Sequence, residues 1–128
     1  MPTVHGTFDV TMHPEPPYSE RDGVTLARAV FDKTFHGPLT ATGRVEFLSV
    51  RAGENAAYVA LERIEGTLDG RAGSFVVTHR ALASRAAKTL QIEVVPGTGT
   101  GALAGLEGTI DVEIVETKHH YTMTYALP

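Results

Sequence analysis

The sequence lacks cysteine, long apolar runs and an excess of basic charge. Without cysteine, the chain has no disulfides, no thiol nucleophile and no thiolate metal ligands. No apolar run approaches the roughly 18 residues of a membrane-spanning helix, and the opening MPTVHGTFDV has neither the basic nor the apolar region of a secretion signal. We therefore expect a cytoplasmic protein without a membrane partner.

The charge balance also restricts the partners. The net charge is -4, and acidic and basic residues are interspersed rather than collected into a basic patch. This pattern argues against nucleic acid or an anionic surface as the main partner. A hydrophobic content of 42% and a charged content of 20% over 128 residues predict one globular domain, residues 1–128.

What the chain has instead is alternation of apolar and polar residues with a period of two, the pattern of half-buried strands. Prolines 14, 16 and 17 remove backbone donors, so we expect an irregular connection over residues 13–23. Residues 81–91 have a helix-favouring composition, but we predict a turn at residues 84–87. The predicted strands cover residues 3–12, 25–35, 39–51, 58–79 (two strands), 88–95, 106–115 and 118–127.

Eight strands with almost no convincing helix predict an all-β antiparallel barrel or sandwich. The short connections favour an eight-stranded up-and-down barrel, which leaves no exposed sheet edge. A barrel of eight strands encloses a space that either fills with side chains or holds one small ligand.

The best-defined element is the hairpin around Asp69-Gly70. A type I′ turn needs positive φ at both central residues, which makes Asp-Gly between two β-rich runs a strong hairpin signal. A turn over residues 52–55 would pair the preceding strand with the same hairpin. The two turns predict the pairs Leu68–Arg71, Ile64–Phe75, Glu62–Val77, Ala60–His79, Tyr58–Ala81, Arg51–Ala56, Val45–Glu62 and Phe47–Ala60.

This register places one carboxylate on an apolar face, and that residue, Glu62, is the first candidate for a site. Burial disfavours a charged carboxyl, so we expect a raised pKa suited to acid or base chemistry. His79 lies diagonal to it, and Tyr58 shares its face. The alternative is a structural cluster in which Glu62 is neutralised by His79, an arginine or a tyrosine hydroxyl. The predicted pocket lining is Val45, Phe47, Ala60, Phe75, Val77, Ile92, Tyr121 and Tyr125.

Two other patterns carry weaker signals. The glycine-rich GTGTGALAG contains the G-x-G-x-x-A spacing at Gly99, Gly101 and Ala104. A dinucleotide site would need a long helix after it, so we interpret the segment as a sharply turned barrel corner. The six histidines lack the spacing of ligand pairs, and His119 and His120 face opposite sides of a strand. We therefore expect neither a metal nor a cofactor.

Five stretches carry a further signal: GTFDV (6–10), KTFHGPL (33–39), LERIEGTLDGRAGSFVVTH (61–79), VVPGTGTGALAGLEG (94–108) and HYTMTYAL (120–127). Together they resemble a family of small, mostly bacterial proteins of unknown function with an allene oxide cyclase-like barrel. The glycine-rich stretch is also similar to one shared by allene oxide cyclases and dirigent proteins. The resemblance implies an eight-stranded barrel with an inner cavity, and it implies no settled reaction.

Three functional hypotheses follow. The first is a cofactor-independent isomerase or cyclase acting on a small hydrophobic molecule, with Glu62 as the acid or base and His79 and Tyr58 tuning or orienting it. The second is a barrel that binds such a molecule without catalysis. The third is a filled barrel that acts through its surface. The same distant likeness to cyclases and dirigent proteins suggests a homo-oligomer, a dimer or a trimer.

Overall fold

The computed structural model describes residues 1–128 as nine β-strands and one turn of 3-10 helix at Gly101–Leu103. The strands are β1 (Thr3–Pro14), β2 (Ser19–Arg21), β3 (Val24–His36), β4 (Leu39–Ala52), β5 (Asn55–Leu68), β6 (Arg71–Ala83), β7 (Lys88–Val94), β8 (Glu107–Val115) and β9 (Lys118–Ala126).

Eight of these strands close into a barrel. From β3 to β9 each strand pairs antiparallel with the next along the chain, and β1 pairs with both β9 and β3. The short β2 pairs only with β3 and lies outside the closed ring. The predicted eight-stranded antiparallel up-and-down barrel is confirmed.

The predicted hairpin registers are confirmed as well. Asp69 and Gly70 take φ values of 50° and 80°, as a type I′ turn requires, and all eight predicted pairs are present. The connection between β4 and β5 is shorter than predicted, because Ala52 and Asn55 also pair. Gly53 makes this two-residue turn possible by adopting φ 61°.

The prediction for residues 13–23 was wrong in two respects. Strand β1 continues to Pro14, which pairs with Ala29. Proline is tolerated there because β9 covers β1 only from Thr3 to Phe8, so the end of β1 is an edge. Asp22-Gly23, with φ values of 56° and 75°, then forms the turn of a small β2–β3 hairpin. The turn predicted at residues 84–87 does separate β6 from β7.

The glycine-rich segment closes the weakest seam of the barrel. Strands β7 and β8 share a single registered pair, Glu93 with Thr109. Beyond β7 the segment docks on β6, where the Thr100 N–H donates to the Ser74 carbonyl over 2.9 Å. A Cβ on Gly73 would lie 2.1 Å from the Thr100 oxygen, so only glycine allows this approach.

One half of the barrel interior is filled with side chains. Its largest apolar members are at most 1% exposed: Leu39, Leu68, Leu103, Leu106, Ile64, Phe75, Met123 and Tyr121. The Tyr121 hydroxyl donates to the His36 carbonyl over 2.9 Å and accepts from the Leu39 N–H over 3.0 Å, which ties β9 to the β3–β4 turn. Packing therefore closes this end, and any internal site must lie towards the other.

Candidate functional site

The other half of the barrel holds a cavity of about 400 Å³. Most of its lining is apolar, and its rim includes the exposed side chains of Val10, Met12 and Ile114. The volume lies in the range of about 300–1,000 Å³ that small-molecule sites occupy. Its lining consists of Phe8, Val10, Met12, Phe31, Lys33, Val45, Phe47, Tyr58, His79, Leu90, Ile92, Val112, Ile114 and His119.

Three ionisable side chains meet at the inner end of this cavity, and we call Lys33, Glu62 and His79 the internal triad. Lys33 Nζ donates to Glu62 Oε1 over 3.1 Å, and His79 Nε2 donates to the same oxygen over 2.8 Å. Because an ionised carboxylate only accepts, the proton of this second bond belongs to His79 Nε2. Glu62 is 1% exposed and His79 6%, so the triad is a buried network.

The strand pattern explains why these three side chains meet. Successive residues of a strand alternate between the two faces, so Lys33 shares the inner face of β3 with Phe31 and Phe35. Lys33 pairs with Gly43 across β3–β4, and Glu62 pairs with Val45 across β4–β5. Because Gly43 has no side chain, the Glu62 carboxylate fits against β4 at a place that a Cβ would block.

The structure assigns Glu62 a different position from the one expected. Lys33 and His79 line the cavity, whereas Glu62 is not part of its lining and borders, with both of them, a much smaller void deeper in the barrel. Its second carboxylate oxygen, Oε2, is buried without a hydrogen-bond partner. A molecule in the cavity would therefore touch the amine and the imidazole, and Glu62 would act through them.

Aromatic rings surround the Lys33 ammonium group. Its Nζ lies 4.8 Å from the centre of the Phe8 ring and 5.8 Å from that of Phe35. Such contacts stabilise a cation without using its N–H donors in hydrogen bonds. Glu62 is the only hydrogen-bond partner of Nζ within the chain.

Tyr58 lies in the cavity wall rather than in the triad. Its ring stacks on Phe47 with the centres 4.5 Å apart, and Phe47 in turn meets Phe31 edge to face at 5.0 Å. Burial raises the pKa of the Tyr58 phenol above its ordinary value of 10.0, and the charge of Glu62 raises it further. Its hydroxyl makes no hydrogen bond within the chain, so the phenol is a neutral group available to a ligand.

The predicted pocket lining divides between the two halves of the barrel. Val45, Phe47 and Ile92 line the cavity. Ala60 is buried beside His79, outside the cavity lining. The remaining four residues, which are Phe75, Val77, Tyr121 and Tyr125, belong to the buried core cluster and are not among the residues that line this cavity.

Sequence reasoning missed Lys33 altogether. The available signal was its spacing: Phe31, Lys33 and Phe35 alternate at a period of two in a predicted strand, so the lysine shares the face of two aromatics. A charged residue flanked in this way on one face indicates a buried partner elsewhere. Of the partners expected for Glu62, His79 is confirmed, while Lys33 takes the place of the expected arginine or tyrosine hydroxyl.

A larger concavity of about 680 Å³ lies on the outer wall. It follows the outer face of the sheet from β3 to β7, where Leu48, Val59 and Leu61 are 41% to 56% exposed between charged side chains. Both concavities open to solvent, but the internal cavity has the more apolar lining and contains both Lys33 and His79 of the triad. The internal cavity is therefore the better candidate for a small-molecule site.

Neither a metal centre nor a spanning helix emerges from the geometry. No three His, Asp or Glu side chains lie close enough together to hold a metal ion. Among the helical segments, none has the length and apolarity needed to cross a bilayer.

Comparison with known proteins places the chain in a family. The family model described as "Protein of unknown function (DUF3224)" matches residues 4–125. This chain belongs to the DUF3224 family. The match covers every strand of the barrel except the ends of β1 and β9.

A solved DUF3224 structure has the same fold. It is the crystal structure of a protein of unknown function from the DUF3224 family of Shewanella oneidensis MR-1. The two chains are 40% identical, the comparison covers 100% of this chain and 98% of that one, and the TM-score is 0.94. The comparison with curated proteins found no match. The barrel implied by the resemblance is confirmed, and the likeness to allene oxide cyclases stays a prediction.

Proposed function

We propose that this DUF3224 barrel binds a small, mostly apolar molecule in its internal cavity, where the triad orients the ligand. The observation that carries the proposal is the division of the interior. One half is packed with side chains, while the other half keeps an apolar cavity of about 400 Å³ that ends at Lys33 and His79.

The cost of the triad supports a ligand-binding role. Burying an ion pair costs several kcal/mol of desolvation for each ion, and well-packed apolar residues stabilise a core at least as well. An eight-stranded barrel is able to fill completely with side chains. Here the charges instead border an unfilled space lined by aromatic rings. That combination of apolar walls and a few convergent polar groups is typical of small-molecule sites.

Native and denaturing mass spectrometry of the purified protein, after incubation with a metabolite extract from its host, tests this proposal. We expect a bound mass that is present in the native spectrum and lost on denaturation. Val112→Phe, which enlarges a half-buried side chain of the cavity wall, should abolish the bound mass. The same spectra count subunits and so test the predicted dimer or trimer.

A matched control distinguishes the two concavities. Val59→Phe makes the same change on the outer wall, where Val59 is 51% exposed. We expect this variant to retain the bound mass. If Val59→Phe loses the ligand and Val112→Phe keeps it, the ligand binds the outer groove and the proposal fails. If the native spectra show no bound mass with any extract, the proposed binding function is contradicted as well.

A second candidate function is a cofactor-free isomerase or cyclase, favoured by the His79–Glu62 hydrogen bond. A carboxylate that orients an imidazole facing a cavity is the arrangement of a general base and its positioning group. In this version His79 would move the proton, and Glu62, placed behind it, would hold the ring in position. The roles expected from the sequence are thus exchanged.

Exchange with heavy water separates binding from catalysis. An enzyme of this type removes and returns a proton of its ligand, so deuterium should enter a ligand incubated with the protein in D₂O. We expect His79→Gln to keep the ligand and lose the exchange. If the unmodified protein binds the ligand and no deuterium enters it, the isomerase or cyclase function is refuted and only the binding function remains.

A further inference from the structure

We infer that the ligand of the internal cavity is an electrically neutral, apolar compound whose one polar group is a carbonyl, held by Lys33. This inference rests on the proposed binding function and goes beyond it by naming the class of ligand. It follows from the hydrogen-bonding capacity and the charge of the groups that line the cavity.

The Lys33 ammonium group in the lining requires a hydrogen-bond acceptor. Only four lining residues carry a polar side-chain group: Lys33, Tyr58, His79 and His119. No carboxylate is among them, because Glu62 lies behind the lining. An ammonium group has three donors and no acceptor, and Lys33 uses one of its three on Glu62. Its Nζ lies near the rings of Phe8 and Phe35, and Lys33 lines the cavity, so two N–H groups are left for a ligand.

The charges of the triad favour a neutral ligand. Lys33 and Glu62 form an ion pair at 3.1 Å and cancel each other's charge. An anion entering the cavity would therefore find no net opposite charge, and burying an uncompensated charge in an apolar site is costly. A carbonyl oxygen accepts the free N–H of Lys33 without adding charge, and the rest of the molecule fits the aromatic walls.

His79 and Tyr58 further limit the position of this oxygen. His79 uses Nε2 on Glu62, so that donor is occupied, while the Tyr58 hydroxyl has no partner within the chain. A carbonyl at the inner end would therefore accept a hydrogen bond from Lys33, and the Tyr58 hydroxyl is a second donor in the cavity wall. The Lys33 ammonium group pairs only with an acceptor and so favours a carbonyl over a cationic amine, while the Tyr58 hydroxyl can donate to the same oxygen.

Three compounds of one shape test the inference: 2-acetylnaphthalene, 2-ethylnaphthalene and naphthalene-2-carboxylate, with dissociation constants measured by calorimetry. A hydrogen bond from a charged donor makes a difference of about tenfold or more in affinity. We expect the ketone to bind about tenfold more tightly than the hydrocarbon, and the carboxylate to bind more weakly than the ketone. The infrared carbonyl stretch of the bound ketone should fall relative to its value in hexane.

The double variant Lys33→Met/Glu62→Gln removes both charges, so neither is left unpaired. We expect this variant to bind the hydrocarbon as tightly as the unmodified protein does and to lose the preference for the ketone. The carbonyl stretch of the bound ketone should return towards its value in hexane. The matched control is Arg44→Met/Asp32→Asn, which removes an ion pair from the outer wall and should change neither the affinities nor the stretch.

The outcomes separate the inference from the proposed function. If the carboxylate binds most tightly, or if ketone and hydrocarbon bind equally well in the unmodified protein, the carbonyl assignment is overturned and the cavity function stands. If none of the three compounds binds the unmodified protein, the carbonyl assignment is overturned, whereas the cavity function is decided separately by the native mass spectra.

Discussion

Gly43 leaves the Glu62 carboxylate the space that it occupies. A Cβ built on Gly43 would lie 2.2 Å from Glu62 Oε2, far inside van der Waals contact. The carboxylate cannot turn away freely, because its other oxygen accepts hydrogen bonds from Lys33 and His79. The missing side chain on β4 is thus part of the internal triad, even though glycine has no polar group to contribute.

The first prediction concerns this contact. Gly43→Ala forces the carboxylate out of position and should lower the free energy of unfolding by about 1–3 kcal/mol, the usual cost of overpacking. Glu62→Asp withdraws the carboxylate by one methylene, so the double variant should lose less than the sum of the two single variants. Urea denaturation of the four proteins measures the coupling. Gly43→Ala combined with Glu65→Asp, on the outer face of β5, should be additive; equal coupling in both cycles would refute the contact.

The second prediction concerns the charges of the triad. Lys33→Met leaves the buried Glu62 with His79 as its only partner, and Glu62→Gln leaves Lys33 unpaired, so each variant should lower the free energy of unfolding by about 3–5 kcal/mol. The double variant buries no charge, and we expect it to unfold at a higher urea concentration than either single variant. A double variant as unstable as the sum of the two would show that the ion pair contributes nothing beyond its separate side chains.

The third prediction is a loss of stability at alkaline pH that depends on Tyr121. Burial raises the pKa of this phenol above its ordinary value of 10.0, so the folded state keeps the proton that the unfolded state releases. The stability that the protonated Tyr121 adds to the folded state is fully present below about pH 10 and is lost as the pH rises through the pKa of the folded state. Tyr121→Phe should therefore make the fall in Tm between pH 9 and 11 less steep.

The same variant has a second, pH-independent effect. It removes the acceptor of the Leu39 N–H and the donor to the His36 carbonyl, which should cost about 1–3 kcal/mol at neutral pH. Tyr18→Phe is the control, since Tyr18 is 56% exposed. An unchanged alkaline slope in Tyr121→Phe would contradict the assignment.

The fourth prediction concerns the turn between β8 and β9. Thr117 adopts φ 71°, a conformation that a β-branched residue rarely takes. Thr117→Gly relieves this strain, and after the entropy cost of glycine we expect a gain of about 0.5–1 kcal/mol in the free energy of unfolding. Thr34→Gly, inside β3, should destabilise instead. A loss of stability in Thr117→Gly would show that the turn is not strained.

Turn chemistry was the most reliable guide to the fold. Asp69-Gly70 predicted both the hairpin and its register. A two-residue turn with positive φ at both positions fixes which residues of the two strands pair. The same pair of residue types at Asp22-Gly23 was overlooked among the nearby prolines, and with it the β2–β3 hairpin. The information was local in both cases.

The candidate site was predicted only in part, because its members come from distant strands. Glu62 and His79 lie on one hairpin, and their closeness follows from a single turn. Lys33 reaches them from β3 through the pairing of β3 with β4 and of β4 with β5. Two registers must be combined before the lysine can be placed, so its role was missed.

The sequence by itself determined the strands, the turns and the inward faces, since these depend on backbone conformation and on the alternation of side chains within a few residues. Only the tertiary structure decided how β1 closes the ring between β9 and β3, which half of the interior fills, and that Glu62 lies behind Lys33 and His79. These features depend on side-chain volumes and contacts between segments far apart in the chain. No local pattern carries that information, because packing is settled by all eight strands together.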